Sequence, residues 1–159
     1  MDVASQSRER VADRIQHLED TYGSFPINQS TLSVPESGYE RAVERCENGI
    51  ADVYVEARNG DDEVLLVRSD DAWEIPRGQA TGDESLEAGA KRKLKQMSGV
   101  DCEIEGIHQV TILGVRNEDG ADEPVYRLLV VFLARCKTPD TANAEAIEWV
   151  SSVPDQARP

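Results

Sequence analysis

Residues 73–100, WEIPRGQATGDESLEAGAKRKLKQMSGV, concentrate the residue types of this chain that suit phosphate chemistry. Gly78 follows Arg77, and Gly82 comes four residues later, so the backbone here has access to angles closed to other residues. Beyond Glu84 a helical period begins. Leu86, Ala90, Leu94 and Met97 recur at i, i+4, i+8 and i+11, which predicts a helix with these four on its buried stripe. Its start is expected near Thr81–Ser85. Thr81 and Glu84 have capping-box spacing, Asp83 is an equal candidate for the cap, and Gly99 is the expected stop. Three of the four lysines in the chain, Lys91, Lys93 and Lys95, stand on this helix with Arg92 among them. Cations suit the C-terminal half of a helix because of its dipole. A lysine ammonium is also a competent point charge for phosphate. No aromatic residue lies between Lys91 and Lys95, so base stacking on single-stranded nucleic acid is not indicated.

In sequence, Gly78, Glu84, Arg92, Leu94, Gly99 and Val100 fall in register with the Nudix box, G-x5-E-x7-R-E-U-x-E-E-x-G-U, where U is aliphatic. The stretch resembles that box. Trp73 and Pro76 also stand where the family usually has them, and Glu148-Trp149-Val150 is similar to its last strand. The resemblance covers about residues 50–153. It implies an α/β/α sandwich with a mixed sheet, and cleavage of nucleoside diphosphates linked to another moiety. It also implies Mg²⁺ or Mn²⁺ held by three glutamates that follow the arginine. Here those three positions hold Lys93, Gln96 and Met97. They are spaced i, i+3 and i+4 and so neighbour one another on the helix surface. An ammonium repels a cation, an amide keeps one oxygen without the charge, and a thioether is too soft for Mg²⁺.

The sequence therefore predicts no metal at the box, with Glu84 and Glu87 as weak candidate ligands. It predicts a non-hydrolytic binder of a small nucleotide-like or phosphate-containing ligand, held by Lys93, Arg92, Arg77, Gly78 and Trp73. No cofactor is expected under that reading. The alternative is a Mg²⁺- or Mn²⁺-dependent hydrolase with relocated carboxylates, drawn from Asp83, Glu84, Glu87, Glu118, Asp119, Asp122, Glu123, Glu145 and Glu148. A protein-interaction module is the third reading. For Glu84 and Arg92 a purely structural pairing is also open, as is core packing for Trp73. His108, in an expected strand, reads as structural.

Positioning these residues requires flanking elements. Val11, Ile15 and Leu18 repeat at i, i+4 and i+7 and predict a helix over 5–21. Residues 22–37 are rich in Ser, Pro and Gly and read as a connector. A helix is expected over 38–48, ending at Asn48-Gly49. Residues 1–48 thus read as a helical N-terminal extension to a domain over 49–159. Strands are expected at 51–57 and 63–68, joined by Asn59-Gly60 as a hairpin. Further strands are expected at 103–113, 125–135 and 146–150. The chain stops at Pro159, without the helix the family usually adds after its last strand. The N-terminal helices are expected to cover the sheet face so exposed.

The chain has 159 residues, and its formal charge is −14, from 31 acidic and 17 basic residues. A surface of this kind holds hydrated cations and stays soluble in concentrated salt, which suits a halophilic source. It argues against nonspecific binding to a polyanion. Cys46, Cys102 and Cys136 are odd in number and widely spaced, which predicts buried thiols in a reducing compartment. No apolar run reaches the ~20 residues needed to span a bilayer, and the charged N-terminus lacks a secretory core. A cytoplasmic location is expected; the oligomeric state is not legible.

Overall fold

A computed structural model describes residues 3–49, 51–69, 72–80, 84–120, 123–136 and 147–153. The order is α1 (Val3–Tyr22), β1 (Ile27–Val34), α2 (Glu36–Asn48), β2 (Ala51–Arg58), β3 (Val64–Ser69), β4 (Ala72–Glu74), β5 (Arg77–Gln79), α3 (Leu86–Ser98), β6 (Cys102–Asn117), β7 (Val125–Cys136) and β8 (Ile147–Val150). This is a mixed α/β fold around an eight-stranded mixed sheet, whose main path runs β1-β6-β7-β2-β3-β4. β5 pairs with β2, and β8 pairs with β3.

The long hairpin of β6 and β7 is the spine of the sheet, and β2 joins β7 in parallel from Ala51↔Leu128 to Arg58↔Arg135. Period-two alternation sends Val53, Val55, Val130 and Phe132 to one face, where they are fully or almost fully buried. α1 lies over that face, burying Ala4, Val11 and Leu18, and the Tyr22 ring meets Phe132 edge-on at 6.2 Å. α3 adjoins α1: the Arg14 guanidinium donates to the Glu84 carbonyl at 3.1 Å, and the Tyr22 hydroxyl donates to Glu87. Burial, then the Glu87 carboxylate, hold the Tyr22 phenol above its ordinary pKa. α2 crosses the end of the sheet, where Arg45 and Cys46 reach Asp52 and Arg127 of the opposite face. The N-terminal helices thus do not cover the opposite face as expected: α1 and α2 bury Val11, Leu18, Ala42 and Cys46 in the same core cluster as Leu86, Ala90 and Leu94 of α3.

Two expectations are corrected. The segment 22–37 is no simple connector: Ile27–Val34 forms β1, paired in parallel with Val110–Asn117 of β6. Its Ser, Thr and Asn residues hid a strand that tertiary pairing supports. Second, Cys102 and Cys136 are disulfide-bonded. They face each other at the open end of the hairpin, in direct register, with Cα atoms 4.1 Å apart. That register is not visible in a spacing of 34 residues. The pairing removes the thiol count as support for a reducing compartment. Cys46 remains a buried thiol, and burial pushes its pKa up.

A cross-link closing this 34-residue separation is expected to contribute roughly 3–4 kcal/mol by restricting the unfolded chain. The double change Cys102→Ala/Cys136→Ala should lower the urea midpoint accordingly. An unchanged midpoint, with two further thiols titrating in the unreduced protein, would show that the bond is not formed. No helix among the described residues is long and apolar enough to cross a membrane.

Candidate functional site

α3 forms as the apolar period requires, with Leu86, Ala90 and Leu94 buried. Its cap differs from expectation. Ser85 is the N-cap, its hydroxyl accepting from the Ala88 N–H at 3.1 Å. Residues 81–83 lie outside the described residues. Met97 is only half-buried, because Ser98 takes the innermost place of the last turn: its Oγ donates to the Leu94 carbonyl at 2.6 Å. Gly99 ends the helix in the left-handed region, at φ 74°, donating to the Lys95 carbonyl.

Glu84 is committed to Arg92. The guanidinium grips it in a two-bond fork, Nε to Oε2 and Nη2 to Oε1, both at 2.9 Å. This charge-assisted fork holds the Arg92 pKa above its ordinary value. Glu87, the other weak metal candidate, accepts from Tyr22. Lys93, Gln96 and Met97 do share one surface of α3, with Gln96 exposed and the other two half-buried. Among the described residues no group of three or more His, Cys, Asp or Glu is gathered as a metal site. Lys93, Gln96 and Met97 bring no carboxylate to the box, and Glu84 is occupied, so the residues present do not fit a divalent cation there. His108 and the loop residues Glu118 and Asp119 stand on or beside β6; Asp122 and Glu145 lie outside the described residues.

Gly78 lies directly beneath Lys93 of α3. A Cβ there would overlap Cγ, Cδ and Cε of Lys93, whose stem lies across the glycine. β5 pairs with β2 in the register Asp52↔Gln79, Val53↔Gly78 and Tyr54↔Arg77. Alternation therefore places Gly78 and Val53 toward α3, and Asp52, Tyr54, Arg77 and Gln79 on the opposite face. The structure divides the sequence-derived ligand set: Lys93 and Arg92 come from the helix side, Arg77 from the other. Trp73, on β4, packs half-buried with Val64, Leu66, Ile75 and Val153.

On that other face lies an open cleft of about 430 Å³, lined by Arg45, Asp52, Tyr54, Arg77, Gly78 and Gln79. Asp52 pairs with Arg45 at 3.2 Å and with buried Arg127 at 3.1 Å; Arg77 faces Glu74 at 3.4 Å. Three guanidiniums thus meet two carboxylates, on a chain of net charge −14. Arg45 and Arg77 are more than half exposed, at 57% and 55%. Ion pairs so exposed hold by about 1 kcal/mol or less, so an incoming anion can displace them. The Tyr54 ring, half-buried against Val64 and Leu66, lines the same cleft and offers it an apolar surface. Sequence reasoning found Arg77 and Gly78 but missed Arg45, Asp52, Tyr54 and Gln79. Arg45 arrives from α2, and the only local signal for Asp52 and Tyr54 was a polar face in an otherwise apolar strand. A second cleft, of about 480 Å³, lies between α1 and the start of α3 beside Arg14, Tyr22 and Glu87. Those side chains are already engaged in holding the two helices together.

The family model for the NUDIX domain matches residues 49–153. The chain belongs to the Nudix family. No curated protein matches it. Solved structures similar to it include the C. elegans Ap4A hydrolase, at 17% identity and TM-score 0.45, covering 64% of this chain and 80% of that one. A UDP-X diphosphatase is 15% identical with TM-score 0.48, covering 65% and 51%. The MutT protein of Methanosarcina mazei Go1 is 21% identical with TM-score 0.44, covering 65% and 78%. Likeness at this level carries no argument about substrate; membership rests on the family match. Within this Nudix chain, the matched segment begins at Gly49, at the end of α2, so Arg45 belongs to the part outside the match.

Proposed function

We propose that this Nudix chain binds a small phosphate-containing, nucleotide-like ligand without hydrolysing it at the box. One observation carries the reading: the three box positions that would hold a cation are Lys93, Gln96 and Met97, while Glu84 is locked by Arg92. A cation-dependent site has become one whose fixed positive charge belongs to the protein. Lys93 supplies an ammonium on one side of Gly78. Arg77 and Arg45 supply guanidiniums on the other, where the planar fork suits phosphate oxygens. Tyr54 gives a base or other flat group a stacking surface, and Asp52 and Gln79 offer acceptors and donors for hydroxyls.

The test is calorimetric titration with ADP, ADP-ribose, nucleotide sugars and dinucleoside polyphosphates in high KCl with EDTA. It is run beside a product-release assay with Mg²⁺ or Mn²⁺. Saturable binding without turnover is expected. Arg45→Ala and Arg77→Ala should each weaken that binding by about tenfold or more, the worth of a hydrogen bond to a charged group. Lys93→Ala reports separately on the helix side. Metal-dependent turnover would overturn the reading in favour of relocated ligands. Absence of binding across the set would leave an interaction module.

A further inference from the structure

From Thr21 to Pro35 the chain carries no Asp, Glu, Lys or Arg, fifteen residues in a protein that is 30% charged. This stretch contains β1, which among the described residues is the edge of the sheet, with β6 on one side. Seven of its eight residues are exposed, including the two exposed large hydrophobics of the described residues, Ile27 at 45% and Leu32 at 51%. Edge strands in stable monomers are ordinarily blunted by charge, proline or a bulge, because their free N–H and C=O groups recruit another strand. β1 has no charge and no proline within Ile27–Val34, and its register with β6 is unbroken over eight pairs.

The hydrogen bonds settle which backbone groups face β6 and which face away from it. The Pro26 carbonyl accepts from Val110 N–H, and the Val34 carbonyl accepts from Glu118 N–H. The strand period therefore turns the even-numbered backbone groups toward β6. It turns the N–H and C=O of Ile27, Gln29, Thr31 and Ser33 outward.

We infer that β1 pairs antiparallel with β1 of a second copy of this chain, joining two sheets across a two-fold axis. Charge selects the occupant. Two copies at −14 repel most where charged side chains meet, and the segment from Thr21 to Pro35 brings no charged side chain of its own to a contact. A basic partner would be drawn to the acidic surface instead. An isologous contact needs a strand that tolerates its own copy opposite itself, and a strand without charges places no like charges face to face. This inference is independent of the ligand reading.

Sedimentation equilibrium of the full chain across a KCl series tests it. The expected mass is twice 17.6 kDa, with tighter association as salt screens the repulsion. Thr31→Pro removes an outward N–H but none that pairs with β6, and proline is tolerated on the solvent side of an edge strand. It should give the 17.6 kDa species with an unchanged circular dichroism spectrum. Leu32→Lys should do the same by placing like charges near each other, and it decides the matter if Thr31→Pro perturbs the fold. A wild-type mass of 17.6 kDa throughout the series overturns the inference. So does a dimer that survives Leu32→Lys, or one that dissociates as salt rises.

Discussion

A chain lacking residues 1–48 is expected to lose its cooperative unfolding transition. The deletion removes α1, whose Val11 and Leu18 are 4% and 6% exposed, and α2, whose Ala42 and Cys46 are 7% and 2% exposed. It uncovers the sheet beneath them, including Phe132, which is fully buried in the whole chain. Each large apolar side chain returned to water costs about 1.5–3 kcal/mol. A domain is stable by only about 5–15 kcal/mol. The deletion also strips β1 from β6 and removes the Ser7 and Cys46 side chains, which bond the backbone of Tyr126. Urea titration followed by circular dichroism and tryptophan fluorescence checks this. A soluble fragment of residues 49–159 with a sigmoidal transition would show instead that the family-matched segment is an independent domain.

Replacing Lys93, Gln96 and Met97 together by glutamate should create divalent-cation affinity on α3. The three positions share one helix surface, so the new carboxylates would converge while Arg92 keeps its fork on Glu84. Mg²⁺ takes hard oxygen ligands, and removing the Lys93 ammonium ends its repulsion of the ion. Calorimetry should show Mg²⁺ binding in the triple variant and none at this helix in the wild type. If no heat of binding appears in a folded variant, these positions do not converge as inferred. A triple variant that binds Mg²⁺ and also turns over nucleotides would show that loss of the ligands alone silenced the box. One that binds without turnover would show that the rest of the site has diverged as well.

Much of this was legible in the chain order. The stripe Leu86, Ala90 and Leu94 announced α3, because helical packing repeats within a few residues. The alternation around Val53 and Val55 announced β2 for the same reason. The presence of Lys93, Gln96 and Met97 where the box has carboxylates is a matter of residue identity, and the sequence alone showed it. The Glu84–Arg92 pair was one of two readings that the spacing left open, and the structure shows it as a 2.9 Å fork.

What only the tertiary structure decided depends on register between distant strands. Nothing local marks Ser30, Thr31 and Ser33 as a strand; β1 exists because β6 offers a partner. Cys102 meets Cys136 because the β6–β7 hairpin aligns them, and a single-residue slip would send one to the other face. Arg45 reaches Asp52 because α2 crosses the end of the sheet. The pairing of Val53 with Gly78 turns Arg77 away from Lys93, two residues that the linear motif sets side by side. Residue type and short-range period determined the elements and the three side chains that stand at the box positions. Long-range hydrogen-bond register determined which charges face a common cleft, because a side chain's face is set by its strand's partner and not by its neighbours in sequence.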